Sequence, residues 1–295
     1  MVNAAVPSAW RSGRVRARGV TLAAYETGSD ASDARVVLLL HGLGHWTDGA
    51  WSRLVPRLDP ALRYVAFDLP GFGASEKPDA PYDAAYFRRV TNDAVAALGL
   101  ERFALVGHSL GGFIAADYAG AFPERVTHLA LIAPAGFSRT PRHLFYGLAG
   151  AVARGLASSA PGRGVFARAP SKRFIARIFE RGVVEAASLD PHQIERAYEL
   201  AQDLALRKAF AGVYSGALQT FARRRSIHAD LARYRGPVFC AWGKHDRYIA
   251  VAALRDVQRV YPHATTLVLN RSGHLPQLEE PDQLGAALGT FLASP

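Results

Sequence analysis

Two hydrophobic rhythms alternate over most of this chain. Short continuous apolar runs mark strands buried on both faces of a parallel sheet. They recur at Arg35–Leu40 (RVVLLL), Arg63–Asp68 (RYVAFD), Phe103–Val106 (FALV), His128–Ala133 (HLALIA), Pro237–Trp242 (PVFCAW) and Thr265–Leu269 (TTLVL). Between them lie stretches with helical spacing: Asp83 to Leu98 puts Tyr86, Val90, Ala94 and Leu98 on one face. Helices are also predicted over Leu110–Phe122, over Val251–Val260, and from Pro281 onward, where proline suits a first helical turn. Arg14 to Thr27 reads as two short strands with a turn near Gly19, and a glycine-rich turn with a tryptophan-containing segment follows from Leu43 to Leu58. Strand–helix alternation of this kind predicts an α/β fold built on a doubly wound parallel sheet.

The rhythm breaks once. From Ser138 to Arg233 no strand is recognisable; helix-like stretches such as Ile194–Phe210 are interrupted by Pro161, Gly162, Pro170 and Pro191, and Gly236 restores the first pattern. Residues 1–136 and 236–295 are therefore expected to form one α/β core, and residues 137–235 a helical insertion.

Charge changes the picture only in the insertion. The formal net charge is +10, and between Phe137 and Arg235 lie 17 of the 35 basic but only 7 of the 25 acidic residues, leaving 18 of each elsewhere. A solvated arginine-rich helical surface is the expected reading, with attraction of anionic substrates or acidic surfaces as the sharper one. No nucleic-acid-binding motif accompanies the charge, so no nucleic acid is expected as a partner, and with the solvated surface as the expected reading a membrane surface is not expected either. The single cysteine, Cys240, excludes a disulfide framework and a cysteine-built metal site. No apolar run reaches the roughly 18 residues of a membrane span. The first dozen residues have the look of a disordered end, and MVNAAVPSAWRSGRVRARG lacks the apolar stretch of a secretory signal. A cytoplasmic protein is expected.

The strongest chemical signal is Gly107-x-Ser109-x-Gly111, placed after FALV and before an apolar helix. A serine hydroxyl attacks well only when exposed and held beside a base. A sharp strand-to-helix turn exposes it, and the crowding of that turn demands small residues two before and two after. The helix starting at Leu110 adds backbone N–H groups and a positive dipole end. A second signal, His41-Gly42-Leu43-Gly44 after RVVLLL, suits an oxyanion hole; the N–H groups of Leu43 and Leu110 are the predicted donors. His41 and His45 are four apart but separated by Gly42 and Gly44, which argue against the helix a metal pair would need; no metal site and no cofactor are expected.

Ten histidines compete for the base. His274, in Ser272-Gly273-His274 after the last predicted strand, lies where sites form in such sheets. His245 is the main competitor, His108 adjoins the serine, and His128, His143, His192, His228 and His263 are read as surface or capping residues. Asp246, in Gly243-Lys244-His245-Asp246 just past PVFCAW, is the predicted acid that orients the imidazole. Glu279, Glu280 and Asp282 are read as opening the last helix, where carboxylates offset its dipole. His41, Trp46, His108 and Phe113 are candidate pocket residues by nearness in sequence, with Trp51 as a further one.

Taken in order, RVVLLLHGLG, DLPGFGAS (Asp68 to Ser75), GHSLGG, GKHD and SGHLPQLEEP resemble the α/β-hydrolase superfamily across nearly the whole core. The resemblance implies an acyl-enzyme route through Ser109, His274 and Asp246 and a helical cap over the site, matching the strandless segment. Carboxylic ester hydrolysis is the expected activity, on a small-molecule ester or related carbonyl substrate. Hydrolysis of C–C bonds in ring-cleavage diketones uses the same triad and would need a basic residue such as Arg168 or Arg177 for the substrate carboxylate. Cofactor-free perhydrolase or haloperoxidase activity is a further alternative, and a non-enzymatic binder that kept the fold is the reading from a different class. Relatives acting on epoxides or haloalkanes carry aspartate at the elbow, where this chain has Ser109.

Overall fold

A computed structural model describes residues 10–137, 168–222 and 224–294. Expectations for residues 1–9 and 138–167, including the breaks at Pro161 and Gly162 and the placement of His143, lie outside the described residues.

Eight strands form one sheet: β1 (Arg11–Ala17), β2 (Val20–Gly28), β3 (Val36–Leu40), β4 (Arg63–Phe67), β5 (Phe103–His108), β6 (Val126–Ile132), β7 (Val238–Gly243) and β8 (Thr265–Leu269). Their order is β1-β2-β4-β3-β5-β6-β7-β8. β2 pairs antiparallel with β1 and β4; all other pairs are parallel. The β1–β2 turn is Arg18-Gly19, both at positive φ (53° and 79°), the twist that joins two antiparallel strands most tightly.

Each central strand feeds two cores because its side chains alternate. Leu38 and Leu40 of β3 and Val238, Cys240 and Trp242 of β7 face one apolar layer. Val37, Leu39, Phe239 and Ala241 face the other. The first layer is closed by α2 (Ala84–Ala97), α3 (Leu110–Ala121) and α8 (Leu254–Val260), the second by α1 (Thr47–Trp51) and α10 (Pro281–Ala293). Asp83 caps α2, its carboxylate accepting from the Tyr86 N–H at 2.7 Å. The double winding read from the alternation is therefore present. Trp51 belongs to the second core, fully buried, and not to a pocket.

Every regular element described between 168 and 235 is helical apart from one short turn: α4 (Lys172–Gly182), α5 (Pro191–Ala201), α6 (Leu204–Ala222) and α7 (Arg224–Leu231). The single helix expected over Ile194–Phe210 is two. Asp203 breaks it, its carboxylate accepting the Ala205 N–H at 2.8 Å and starting a new helix. The segment predicted as a helix from Val251 opens with a 3₁₀ turn, Val251–Ala253, before α8. His128 is buried against Ser294 Oγ (3.1 Å) instead of on the surface, because it points inward from β6. Among the described residues no helix is long and apolar enough to cross a membrane.

Candidate active site

β5 ends at His108 and α3 starts at Leu110; Ser109 is the single residue between them, at φ 52° and ψ −113°. An L residue sits there only when its surroundings compel it. The Ser109 N–H donates to Ile132 O (2.9 Å), and its carbonyl accepts from the N–H groups of Phe113 (3.1 Å) and Ala135 (2.9 Å). A Cβ on Gly107 would overlap the Gly111 carbonyl, and one on Gly111 would overlap the carbonyl oxygens of Leu40 and His41. Both obstacles are backbone, which cannot swing aside. Gly111→Ala is expected to destabilise the fold by more than about 3 kcal/mol, read as a lower urea midpoint; an unchanged midpoint would show that the elbow relaxes freely.

The elbow brings Ser109 Oγ to 2.9 Å from His274 Nε2, while His274 Nδ1 lies 2.7 Å from Asp246 Oδ2. Asp246 and His274 come from the loops after β7 and β8, and both are buried. The second carboxylate oxygen, Asp246 Oδ1, accepts the N–H groups of Tyr248 and Ile249, each at 2.8 Å. An ionised carboxylate only accepts, so Nδ1 carries the imidazole proton and Nε2 turns its lone pair to the serine. His245 is exposed and has no place in this relay.

The His274 loop is held from several sides. Its N–H donates to Gly182 O at the end of α4 (2.6 Å), and its carbonyl accepts from His108 Nε2 (2.8 Å). Glu279 accepts the N–H groups of Gly273 and Val184, each at 2.6 Å, while Glu280 accepts from Arg271 N (2.9 Å) and Ser272 Oγ (2.6 Å). These two carboxylates were expected to offset the dipole of the last helix. They instead clamp the loop, because α9 (Pro276–Glu279) folds the chain back beneath it. Asp282, by contrast, pairs with Arg57. Burial raises the Glu279 carboxyl above its ordinary value despite those N–H donors.

The loop after β3 faces the elbow. The N–H groups of Leu43 and Leu110 make no hydrogen bond to a described residue, and both residues border the cavity at Ser109. His41 was expected in the pocket but is not among its lining residues. Its Nε2 accepts the Leu69 N–H (2.9 Å), so its Nδ1 donates to Gly42 O (2.8 Å), and the fully buried ring braces the loop from behind. Burial keeps His41, His45 and His108 neutral: His45 is pushed down to about 3, with His41 and His274 adding to the effect, and His108 well below its ordinary value.

A cavity of about 880 Å³ opens at Ser109. Its walls are mostly apolar and come from both the core and the insertion: Phe113 and His108, then Phe179, Leu206, Phe210 and Val213. Trp46 is not among them. Its indole packs on Gly49 and stacks with His45 (ring centres 6.2 Å apart), leaving His45 at the wall. Arg168 borders the cavity and Arg177 does not. The insertion residues carried no sequence signal for this role, since their helical spacing looks the same whether a face meets a core or a cavity. Tyr248 carried a faint one, two residues after Asp246; its ring lies 5.4 Å from that of His274.

The family model for the alpha/beta hydrolase fold matches residues 35–281. An uncharacterised Mycobacterium tuberculosis protein is 26% identical over 266 residues, 85% of this chain and 73% of that one. A membrane phospholipase A, reported as a bacterial virulence factor, superposes with a TM-score of 0.73 at 28% identity, over 97% of this chain and 86% of that one. A putative lipase of Acinetobacter baumannii superposes with a TM-score of 0.80 at 22% identity, over 97% and 91%.

Proposed function

Because this chain belongs to the alpha/beta hydrolase fold family, we propose that it is a serine hydrolase cleaving carboxylic esters whose acyl part is long and apolar. The observation that carries this reading is the relay of 2.9 and 2.7 Å hydrogen bonds opening directly onto the large apolar cavity. Ser109 Oγ attacks the ester carbonyl as His274 Nε2 takes its proton, and Asp246 stabilises the imidazolium. The carbonyl oxygen, now negative, is met by the N–H groups of Leu43 and Leu110. Collapse breaks the bond to the alkoxy group, which leaves as alcohol with the proton from His274. Water, deprotonated by the same nitrogen, then releases the acid and restores Ser109.

The neutral histidines around His274 support the reading. Being uncharged, they do not oppose the positive charge that His274 takes up beside Asp246. C–C hydrolysis of a keto acid would call for an inward cation. Of the arginines among the described residues at the cavity, Arg168 is exposed, and Arg207 already donates to the carbonyls of Ala201 (2.7 Å) and Gln202 (2.9 Å). An apolar acyl chain suits these walls better.

With purified protein, kcat/KM for p-nitrophenyl octanoate is expected to exceed that for the acetate by at least about tenfold, since each buried methylene contributes about 0.8 kcal/mol. A fluorophosphonate should label Ser109. A folded protein that neither labels nor turns over either ester would overturn the reading, and faster turnover of a ring-cleavage diketone than of any ester would replace it.

A further inference from the structure

The cavity opens beside α4, and going round that helix the side chains change character in sequence. Ile175 and Phe179 are buried in the cavity wall. Phe174 and Ile178, one turn apart at the rim, are 55% and 42% exposed. Arg177, Arg181 and Arg173 follow on the next stripe, all exposed, and Arg173 and Arg177 make no ion pair among the described residues. Neighbouring large apolar side chains left in water, unlike ones scattered singly, mark a surface for interaction. Five of the six such side chains among the described residues lie between Phe174 and Tyr214. The same insertion holds the chain's whole excess of positive charge.

We propose that α4 is an interfacial helix that seats this face of the protein on an anionic lipid bilayer. Phe174 and Ile178 enter the boundary between headgroups and acyl chains, and Arg173, Arg177 and Arg181 meet lipid phosphates. A helix with an apolar stripe flanked by arginines lies in such a boundary plane, held by buried apolar area and by attraction to anionic lipid together. An acidic protein would satisfy the arginines, but the position of the apolar pair at the mouth of an apolar cavity favours lipid. An acyl chain leaving the bilayer there reaches Ser109 without crossing water. α4 also ends at Gly182, whose carbonyl holds the His274 N–H, so the seated helix and the site share one side of the molecule. With the basic insertion read as a solvated surface, a membrane was not expected as a partner; the exposure of Phe174 and Ile178 beside its arginines favours one. The delivery of an acyl chain rests on the ester-hydrolase reading, whereas the docking does not.

Co-sedimentation of Ser109→Ala protein with vesicles tests the docking apart from catalysis. Vesicles of phosphatidylcholine mixed with phosphatidylglycerol should bind the protein, more weakly as salt rises, and vesicles of phosphatidylcholine alone should bind far less. Arg173→Gln/Arg177→Gln should lower the partition coefficient about thirtyfold, and Phe174→Ser/Ile178→Ser should abolish binding. With Ser109 present, Arg173→Gln/Arg177→Gln should still turn over a soluble short-chain ester at the parent rate. Folded protein that binds neither kind of vesicle, or binds both equally, overturns the docking. Retention of binding by the arginine variant, or by Phe174→Ser/Ile178→Ser, also overturns it. Ester turnover without vesicle binding sinks this inference and leaves the function standing; vesicle binding without turnover does the reverse.

Discussion

Ser109→Ala is expected to lower kcat for an ester substrate by about 10⁵- to 10⁶-fold while the protein stays folded. On the proposed route the loss is large because the hydroxyl is the only group in the relay that would form the acyl-enzyme; His274 and Asp246 would act on it and could not replace it. The loss is not total, since backbone donors and substrate binding alone sustain about 10³- to 10⁴-fold over water. Folding should be spared for a local reason. Ser109 Oγ makes its hydrogen bond to His274, whereas the strained backbone is held by the bonds of its own N–H and C=O to Ile132, Phe113 and Ala135. Alanine keeps the Cβ and those backbone bonds. Thermal melting and burst kinetics check both halves: a variant that melts with the parent yet retains turnover within tenfold would remove Ser109 from the chemistry.

Asp246→Asn is expected to cost about 10⁴-fold in kcat, and the structure says why so small a change costs so much. The amide that replaces the carboxylate has one oxygen and one NH₂. Two backbone donors, the N–H groups of Tyr248 and Ile249, both point at the Oδ1 position, so the amide oxygen must stay there. The NH₂ then occupies the Oδ2 position, facing His274 Nδ1 at the distance of a hydrogen bond. Two N–H groups cannot face each other, so Nδ1 becomes the acceptor and the ring proton moves to Nε2. On the proposed route Nε2 has to accept the serine proton, and in this variant it cannot. The rate should fall without much change in KM, because Asp246 does not border the cavity. Asp246→Ala, which removes the wrongly placed donor, should be no worse than Asp246→Asn. An Asn variant with full activity would place the orienting acid elsewhere.

Much of this arrangement is set locally and can be read from the chain. Apolar runs such as RVVLLL and FALV become central strands because a strand covered on both faces has no position for a polar side chain. Gly107 and Gly111 flank Ser109 because backbone oxygens lie where any side chain would start. The spacing Ser109, Asp246, His274 follows from loops that leave one edge of a parallel sheet. Tertiary structure decided the rest. His274 and not His245 meets the serine because one ring is turned inward and buried while the other faces solvent. His41 and Trp46 stand in or next to the loop after β3 in sequence, yet they brace it from outside the cavity, while Phe179, Phe210 and Val213, over a hundred residues from that loop in sequence, form the cavity's walls. Glu279 and Glu280 clamp the His274 loop instead of offsetting a helix dipole, since the chain doubles back there. Periodicity and steric exclusion act between neighbours along the backbone, so sequence carries them. Which apolar face meets a cavity, and which polar group meets which, depends on segments far apart in the chain, and only their packing settles it.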